Sequence, residues 1–268
     1  MPTTPEGCQE ELARCAVDLI LSEPFFGHLL GGVIRVVDTK ATTAGVCYSG
    51  GRYHLHVNPV WFQRQLRSRK ERVAVLKHEA LHLLLGHVLR YNPLHHDRFR
   101  FGIAADLVVN QLVGPRWILP ADAMLLSTFP DLAADRSLEE YYTQLAVADL
   151  GDFLLMNWHS DHERWGVDDP TDRALAELEL ARLAGDALRR SAGKVPGNLK
   201  GTVMRLIEGR TPRVDWRRQL RIFAATSAQT RVSDTLRRPS RRYGSFPGLR
   251  LRRQQRLFQP RQLCRAKH

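Results

Sequence analysis

Three residues in the stretch from Val75 to His87, which reads Val-Leu-Lys-His-Glu-Ala-Leu-His-Leu-Leu-Leu-Gly-His, have the types and spacing for metal chemistry. His78 and His82 are four residues apart, so on a continuous helix they lie about 40° apart around the axis, one turn above the other. Both imidazoles can then reach one ion. Glu79 falls on the neighbouring edge of that face, where its carboxylate can take a proton from a metal-activated water without being a ligand itself. This His-Glu-x-x-His arrangement points to zinc and to hydrolysis.

The element that must position these residues is a buried helix. Val75, Leu76, Ala80, Leu81, Leu83 and Leu84 are all uncharged, as expected of a helix holding two imidazoles inside a core. The plain alternative is a core helix whose histidines merely hydrogen-bond. Two imidazoles and a carboxylate on an otherwise apolar face argue against it, because buried polar groups without partners are costly. The helix is expected from about Ser68 to Arg90, ended by Tyr91-Asn92-Pro93. A turn over Leu94 to Arg98 follows, and a second helix from about Phe99 to Leu112 returns across the first.

A catalytic zinc takes three protein ligands and keeps a further position for water, so a third ligand is needed. His87 lies five residues beyond His82, about 140° around a straight helix, and should point away in a packing or helix-ending role. Asp106 is the better candidate. Ile103, Ala104, Leu107, Val108 and Leu112 surround it with apolar neighbours among which an unpaired carboxylate would be expensive, and Asn110 one turn later could support a metal-binding side chain. A salt bridge or a loop hydrogen bond is the competing role for Asp106. His95, His96 and Asp97 are the fallback ligands.

With these residues in place, the chain resembles the zincin metallopeptidases, and more narrowly the metallopeptidase domain found in bacteria beside von Willebrand factor A-like domains. The narrower likeness runs over roughly residues 10 to 250. It rests on Val57-Asn58-Pro59, the Leu-His run ending in Gly86-His87, Ala104-Ala105-Asp106 with Asn110, Asp161-His162 with Trp165, and Val214-Asp215-Trp216-Arg217 with Leu220-Arg221. The metzincin branch is excluded, since it needs glycine at position 85 and histidine at position 88, where this chain has Leu85 and Val88. The resemblance implies a zincin-like domain with Zn²⁺ held by His78, His82 and an acid on the following helix, here Asp106. It implies an edge strand above the site helix that pairs with extended substrate, for which Tyr53 to Val57 is the candidate. It also implies a His or Tyr that polarises the scissile carbonyl. His159 or His162 could take that role, and His162 is the candidate.

The remaining pattern supplies a mainly helical α+β frame. Glu6 to Ser22 has the spacing of an amphipathic helix, and Gly31-Gly32 breaks the chain before a β-rich run, Val33 to Val37. Val46 to Tyr48 and Tyr53 to Val57 flank Ser49-Gly50-Gly51-Arg52 as a hairpin. His54 and His56 share a face of its second strand and are left out of the site. Asn58-Pro59 opens a short helix, Gly114 to Ala134 reads as a loop that walls the cleft, and Ser137-Leu138-Glu139-Glu140 is a capping box. Helices are expected over Asp172 to Ser191, over Leu199 to Glu208, and after Thr211-Pro212 with Trp216, Leu220 and Phe223 inward.

The expected division is a zincin-like domain over residues 1–170, a helical extension over 171–226 and a basic, poorly ordered tail over 227–268. From Leu188 onward 22 Lys and Arg face 3 acids, a charge of +19 that leaves −7 for the rest of the +12 chain. Such a region can bind nucleic acid or an acidic surface, but its Arg residues are not interleaved with stacking aromatics, and nucleic-acid binding is not favoured. No run approaches a membrane span and the acidic N-terminus has no signal pattern, so a cytoplasmic protein is expected. Its four cysteines, without Cys-x-x-Cys spacing, are read as free thiols. The function expected is a zinc metallopeptidase acting on peptide or protein substrates. The alternative is a non-catalytic zinc-stabilised module working with a von Willebrand A-like or MoxR-type AAA+ ATPase partner, although the Asp-x-Ser-x-Ser metal motif of such a domain is not in this sequence.

Overall fold

The amphipathic spacing near the N-terminus forms α1 (Pro5–Ser22), opened by Thr4, whose hydroxyl accepts from the Gly7 N–H at 3.1 Å. Its inward face carries Cys8, Leu12, Cys15 and Leu19 into the core, and burial pushes the Cys8 and Cys15 thiols up to about 11 and about 12, so both stay protonated. A second helix, α2 (Pro24–Gly31), follows directly and was not legible as a separate element. Gly27 explains how the two helices lie so close: a Cβ there would come within 2.6 Å of the Ile20 backbone. The computed structural model describes residues 4–146, 162–209, 230–235 and 248–253.

Three strands follow, β1 (Ile34–Val37), β2 (Ala44–Ser49) and β3 (Arg52–Val57). The hairpin joining β2 to β3 closes on Gly50 and Gly51, both at positive φ, which is the backbone a two-residue primed turn requires. The sheet order is β1-β3-β2, with β1 parallel to β3 and β2 antiparallel to it. This corrects the expectation that Tyr53 to Val57 is the edge strand above the site. That strand is central, paired on both sides, and the edge strand packed against the site helix is β2. Alternation reveals a strand's two faces; it carries no information about which neighbour the incoming β1 will choose.

Asn58 caps the next turn as expected, its Oδ1 accepting from the Val60 and Trp61 N–H groups at 2.8 and 3.0 Å. The turn itself, Trp61–Gln65, is π-type, and the Arg72 guanidinium holds it by donating to the Phe62, Gln63 and Leu66 carbonyls. The site helix is α3 (Arg69–Leu84), opened by Ser68. It stops six residues earlier than expected: Gly86, at φ 69°, turns the chain into a separate one-turn helix, α4 (His87–Arg90). Then come α5 (Arg98–Val113), α6 (Leu138–Gln144) with its complete capping box, α7 (Pro170–Arg190) and α8 (Gly197–Glu208). Helix α7 packs against α2 and β3, where the Tyr53 hydroxyl donates to the Ala176 carbonyl at 3.0 Å.

The chain forms two compact units, residues 1–211 and 212–268. Everything from α1 to α8 belongs to the first. In the second, β4 (Thr230–Thr235) and β5 (Gly248–Arg253) pair antiparallel from Thr230↔Arg253 to Thr235↔Gly248, in sequence expected to be a basic, poorly ordered tail. The helix expected after Thr211 lies outside the described residues. Among the described residues, no helix is long and apolar enough to cross a membrane.

One buried charge pair ties the site helix to the N-terminal helices. The ammonium of Lys77, with a side chain only 6% exposed, donates to Glu23 Oε2 at 2.6 Å and to the Val113 carbonyl at 2.8 Å, while the Trp117 indole donates to the other Glu23 oxygen. Lys77→Met leaves that carboxylate without its cation, and the expected loss is about 3–5 kcal/mol. Thermal unfolding should report it as a fall in Tm of about 6–20 °C. Adding Glu23→Gln should recover much of the loss, because neither charge is then stranded.

Candidate metal centre

Helices α3 and α5 pack against each other and bring four side chains to one point. His78 and His82 come from α3, Asp106 from α5, and His162 from the loop before α7. One ligand atom from each lies within 4.8 Å of every other. The Nε2 atoms of His78 and His82 are 2.8 Å apart. Asp106 Oδ1 is 3.0 Å from His82 Nε2 and 3.5 Å from the Nε2 atoms of both His78 and His162. The expected pairing of the two motif histidines with Asp106 is thus realised in space. His95, His96 and Asp97 are not part of this group; Asp97 instead caps α5 by accepting from the Arg100 N–H.

Outer contacts fix which imidazole atoms face inward. Asn110 donates through Nδ2 to the Met124 carbonyl at 2.6 Å, so its oxygen is the atom offered to His78 Nδ1, 2.8 Å away. His78 Nδ1 therefore carries a hydrogen, and its Nε2 is the atom that meets His82. Two nitrogen lone pairs at 2.8 Å repel unless a cation lies between them. In the metal-free chain that cation is a proton on His78. Burial alone would depress this imidazole, but the Asp106 carboxylate, helped by Glu79, outweighs burial and pushes it up to about 9. A metal ion is the other cation that satisfies the arrangement.

His87 has a place that straight-helix geometry denied it. Because Gly86 ends α3, the next turn swings the His87 ring back, and its Nδ1 lies 2.9 Å from His82 Nδ1. This contact engages His82 Nδ1 and leaves its Nε2 to face the cluster. Burial, then the neighbouring His82, holds His87 well below the usual imidazole range, so the ring stays neutral. Burial, then the charge on His78, likewise lowers His82 to about 4. The signal that could have revealed His87 was Gly86, the residue type that ends helices in the left-handed conformation.

Asp106 supplies the test of whether these residues suit a metal. Its side chain is 4% exposed, and Oδ1 accepts no aligned hydrogen bond although three imidazole nitrogens stand 3.0 to 3.5 Å away. Those contacts are close enough for charge attraction but badly directed for donation. Burial would raise the carboxyl, yet the His162 and His78 rings beside it hold it well below the usual carboxylate range, so it is ionised. Donor atoms of a tetrahedral ion with bonds of about 2.0–2.1 Å lie roughly 3.3–3.4 Å apart. The spacings around Asp106 Oδ1 bracket that value, and imidazole with carboxylate is a donor set that suits zinc. The residues fit a metal ion.

Glu79 is buried, 2% exposed, and its Oε2 accepts the Val46 N–H of β2 at 3.0 Å. A cleft reaches this carboxylate together with His78, Asp106 and Asn110. Its walls are Thr43 and Ala44 of the β2 side, Trp61, Val75, and the 114–134 loop through Leu119, Pro120, Asp122 and Ala123. On the same edge of β2 the Val46 carbonyl accepts from the Trp165 indole at 3.0 Å. Both outward groups of Val46 are therefore engaged by site residues.

His162 stands elsewhere than a carbonyl-polarising residue should. That role needs a side chain on the cleft wall, whereas His162 is buried, is not among the cleft-lining residues, and stacks on Trp165 with ring centroids 3.7 Å apart. His159 lies outside the described residues. His54 and His56 are not in the cluster; His56 Nδ1 contacts Asp38 at 3.0 Å. Comparison with the curated proteins and with the solved structures finds no match. A family model does match, over residues 8–262, and it gives the cluster and cleft their context: the chain belongs to the family described as "Putative metallopeptidase domain".

Proposed function

We propose that the chain is a zinc-dependent peptide hydrolase with a zincin-like catalytic unit, in which His78, His82 and Asp106 bind the ion and Glu79 is the general base. The observation that carries this is the convergence of two oriented imidazoles on an ionised carboxylate oxygen without an aligned hydrogen bond, at the foot of a cleft that also reaches Glu79. When bound, zinc lowers the pKa of a water and polarises the scissile carbonyl. Glu79 takes the proton of the attacking water and delivers it to the leaving amine. The Val46 N–H holds the Glu79 carboxylate in position, and Asn110 and His87 hold the imidazoles in the tautomers that turn Nε2 inward.

Metal removal tests the reading. A chelator should abolish hydrolysis of unfolded polypeptide by the purified chain, and added zinc should restore it. Hydrolysis unaffected by complete metal removal contradicts the proposal.

One observation favours a second reading. Four side chains, not three, stand in the cluster, and four protein ligands are the pattern of structural zinc sites. On that reading the chain is a zinc-stabilised interaction module for a von Willebrand A-like or MoxR-type ATPase partner, and zinc raises Tm without any hydrolysis. The cleft reaching Glu79 favours the enzyme.

A further inference from the structure

We propose that His162 is a fourth protein ligand, so that the ion is held by three imidazoles and one carboxylate, with His162 on the side away from the cleft and the cleft side left as a fifth position for the water that the hydrolase reading needs. This rests on the metal-binding part of the reading above and changes the role expected of His162 from carbonyl polarisation to coordination.

Distance is the first support. His162 Nε2 lies 3.5 Å from Asp106 Oδ1, the same separation that His78 Nε2 has from that oxygen, and its ring centroid is 4.9 Å from that of His82. Burial is the second. Its side chain is 5% exposed and grouped with His78, His82 and Asp106 in the cluster.

The way the loop is held is the third and independent support. Arg98 of α5 donates to the His162 and Glu163 carbonyls at 2.8 and 2.6 Å. Arg164 reaches Asp38, beyond β1, at 2.8 Å, and the Trp165 indole donates to Val46 of β2 at 3.0 Å. The Gly166 N–H donates to the Val88 carbonyl of α4 at 3.1 Å. Four successive positions after His162 are thus tied to four separate parts of the unit that carries His78, His82 and Asp106, and the Trp165 ring lies flat against the imidazole at 24°. A ligand is positioned this way, by packing and by hydrogen bonds to its own backbone and neighbours.

The test is made on the full chain. X-ray absorption of the zinc-loaded wild type should count three imidazoles around the ion; a count of two overturns the proposal. His162→Cys, stripped of metal and titrated with Co²⁺, should develop a thiolate-to-cobalt charge-transfer band that the wild type, none of whose described cysteines belongs to the cluster, does not show. Cobalt bound without that band overturns it. Zinc affinity, measured by chelator competition, should fall in His162→Ala as far as in His78→Ala, beyond the about 10–100-fold expected for Asn110→Ala, which removes only an outer partner. A loss no larger than that of Asn110→Ala also overturns it. In these outcomes the wild type still binds zinc, so the hydrolase reading survives. A wild type that takes up no metal overturns the metal reading itself, and the fourth ligand with it.

Discussion

Replacing Glu79 by Gln is expected to lower turnover of peptide hydrolysis by about 10²–10⁴-fold while leaving the metal in place. The two halves of that result have separate causes. Gln matches Glu in shape, and its amide oxygen can still accept the Val46 N–H that the carboxylate accepts at 3.0 Å, so β2 keeps its contact with the site helix. What it lacks is basicity. The amide cannot take the proton of the attacking water or return one to the leaving amine. Glu79 is also not one of the four clustered side chains, so its replacement should not change the zinc content. Turnover within a few-fold of wild type would refute the assignment of the base. Loss of metal in this variant would instead make Glu79 part of the coordination set.

The metal-free chain should be stable over a narrow range of pH, because its buried imidazoles are shifted in opposite directions. His78 is raised to about 9 in the fold. Its contribution is complete below the unfolded value of about 6.5 and disappears as pH rises through about 9. His82 is lowered to about 4, and His87 and His162 well below 6.5. Their contributions are present above about 6.5 and are lost as pH falls, since the unfolded chain then binds protons that the folded chain refuses. Each such group costs about 1.4 kcal/mol per pH unit, so His82 alone removes about 3 kcal/mol between pH 6.5 and 4. Chelator-treated protein followed by circular dichroism should lose about 6–12 °C of Tm over that interval from His82 alone. It should lose stability again between pH 7 and 9, where His78 gives up its proton. A Tm that does not change from pH 6.5 to 4.5 would contradict the neutral, buried state assigned to His82 in the metal-free cluster.

How much of this was legible in the sequence followed from how local each feature is. His78, Glu79 and His82 could be placed because a helix of known pitch sets their mutual geometry, and apolar flanks set its burial. Asp106 was reachable through the cost of a carboxylate among Ile103, Ala104 and Leu107, all of which are buried. Asn110 followed from being one turn further on the same helix. His87 was missed because the pitch was carried through Gly86, where the chain leaves the helix at φ 69°. The coordinating role proposed for His162 was beyond reach for a different reason. Its position depends on contacts from Arg98, Asp38, Val46 and Val88, and no period along the chain records such tertiary links. The edge strand failed likewise. Alternation identified β2 and β3, but strand order was decided by where β1 docks.

The central claim is that His78, His82 and Asp106 bind a metal ion, and elemental analysis of purified wild-type chain beside Asp106→Ala tests it most directly. Asp106 Oδ1 is the atom on which the imidazoles converge, so its removal should weaken binding more than loss of an outer partner does. The account predicts one zinc per chain in the wild type and clearly less in the variant. Equal zinc in both, or none in the wild type after zinc is supplied, would contradict it.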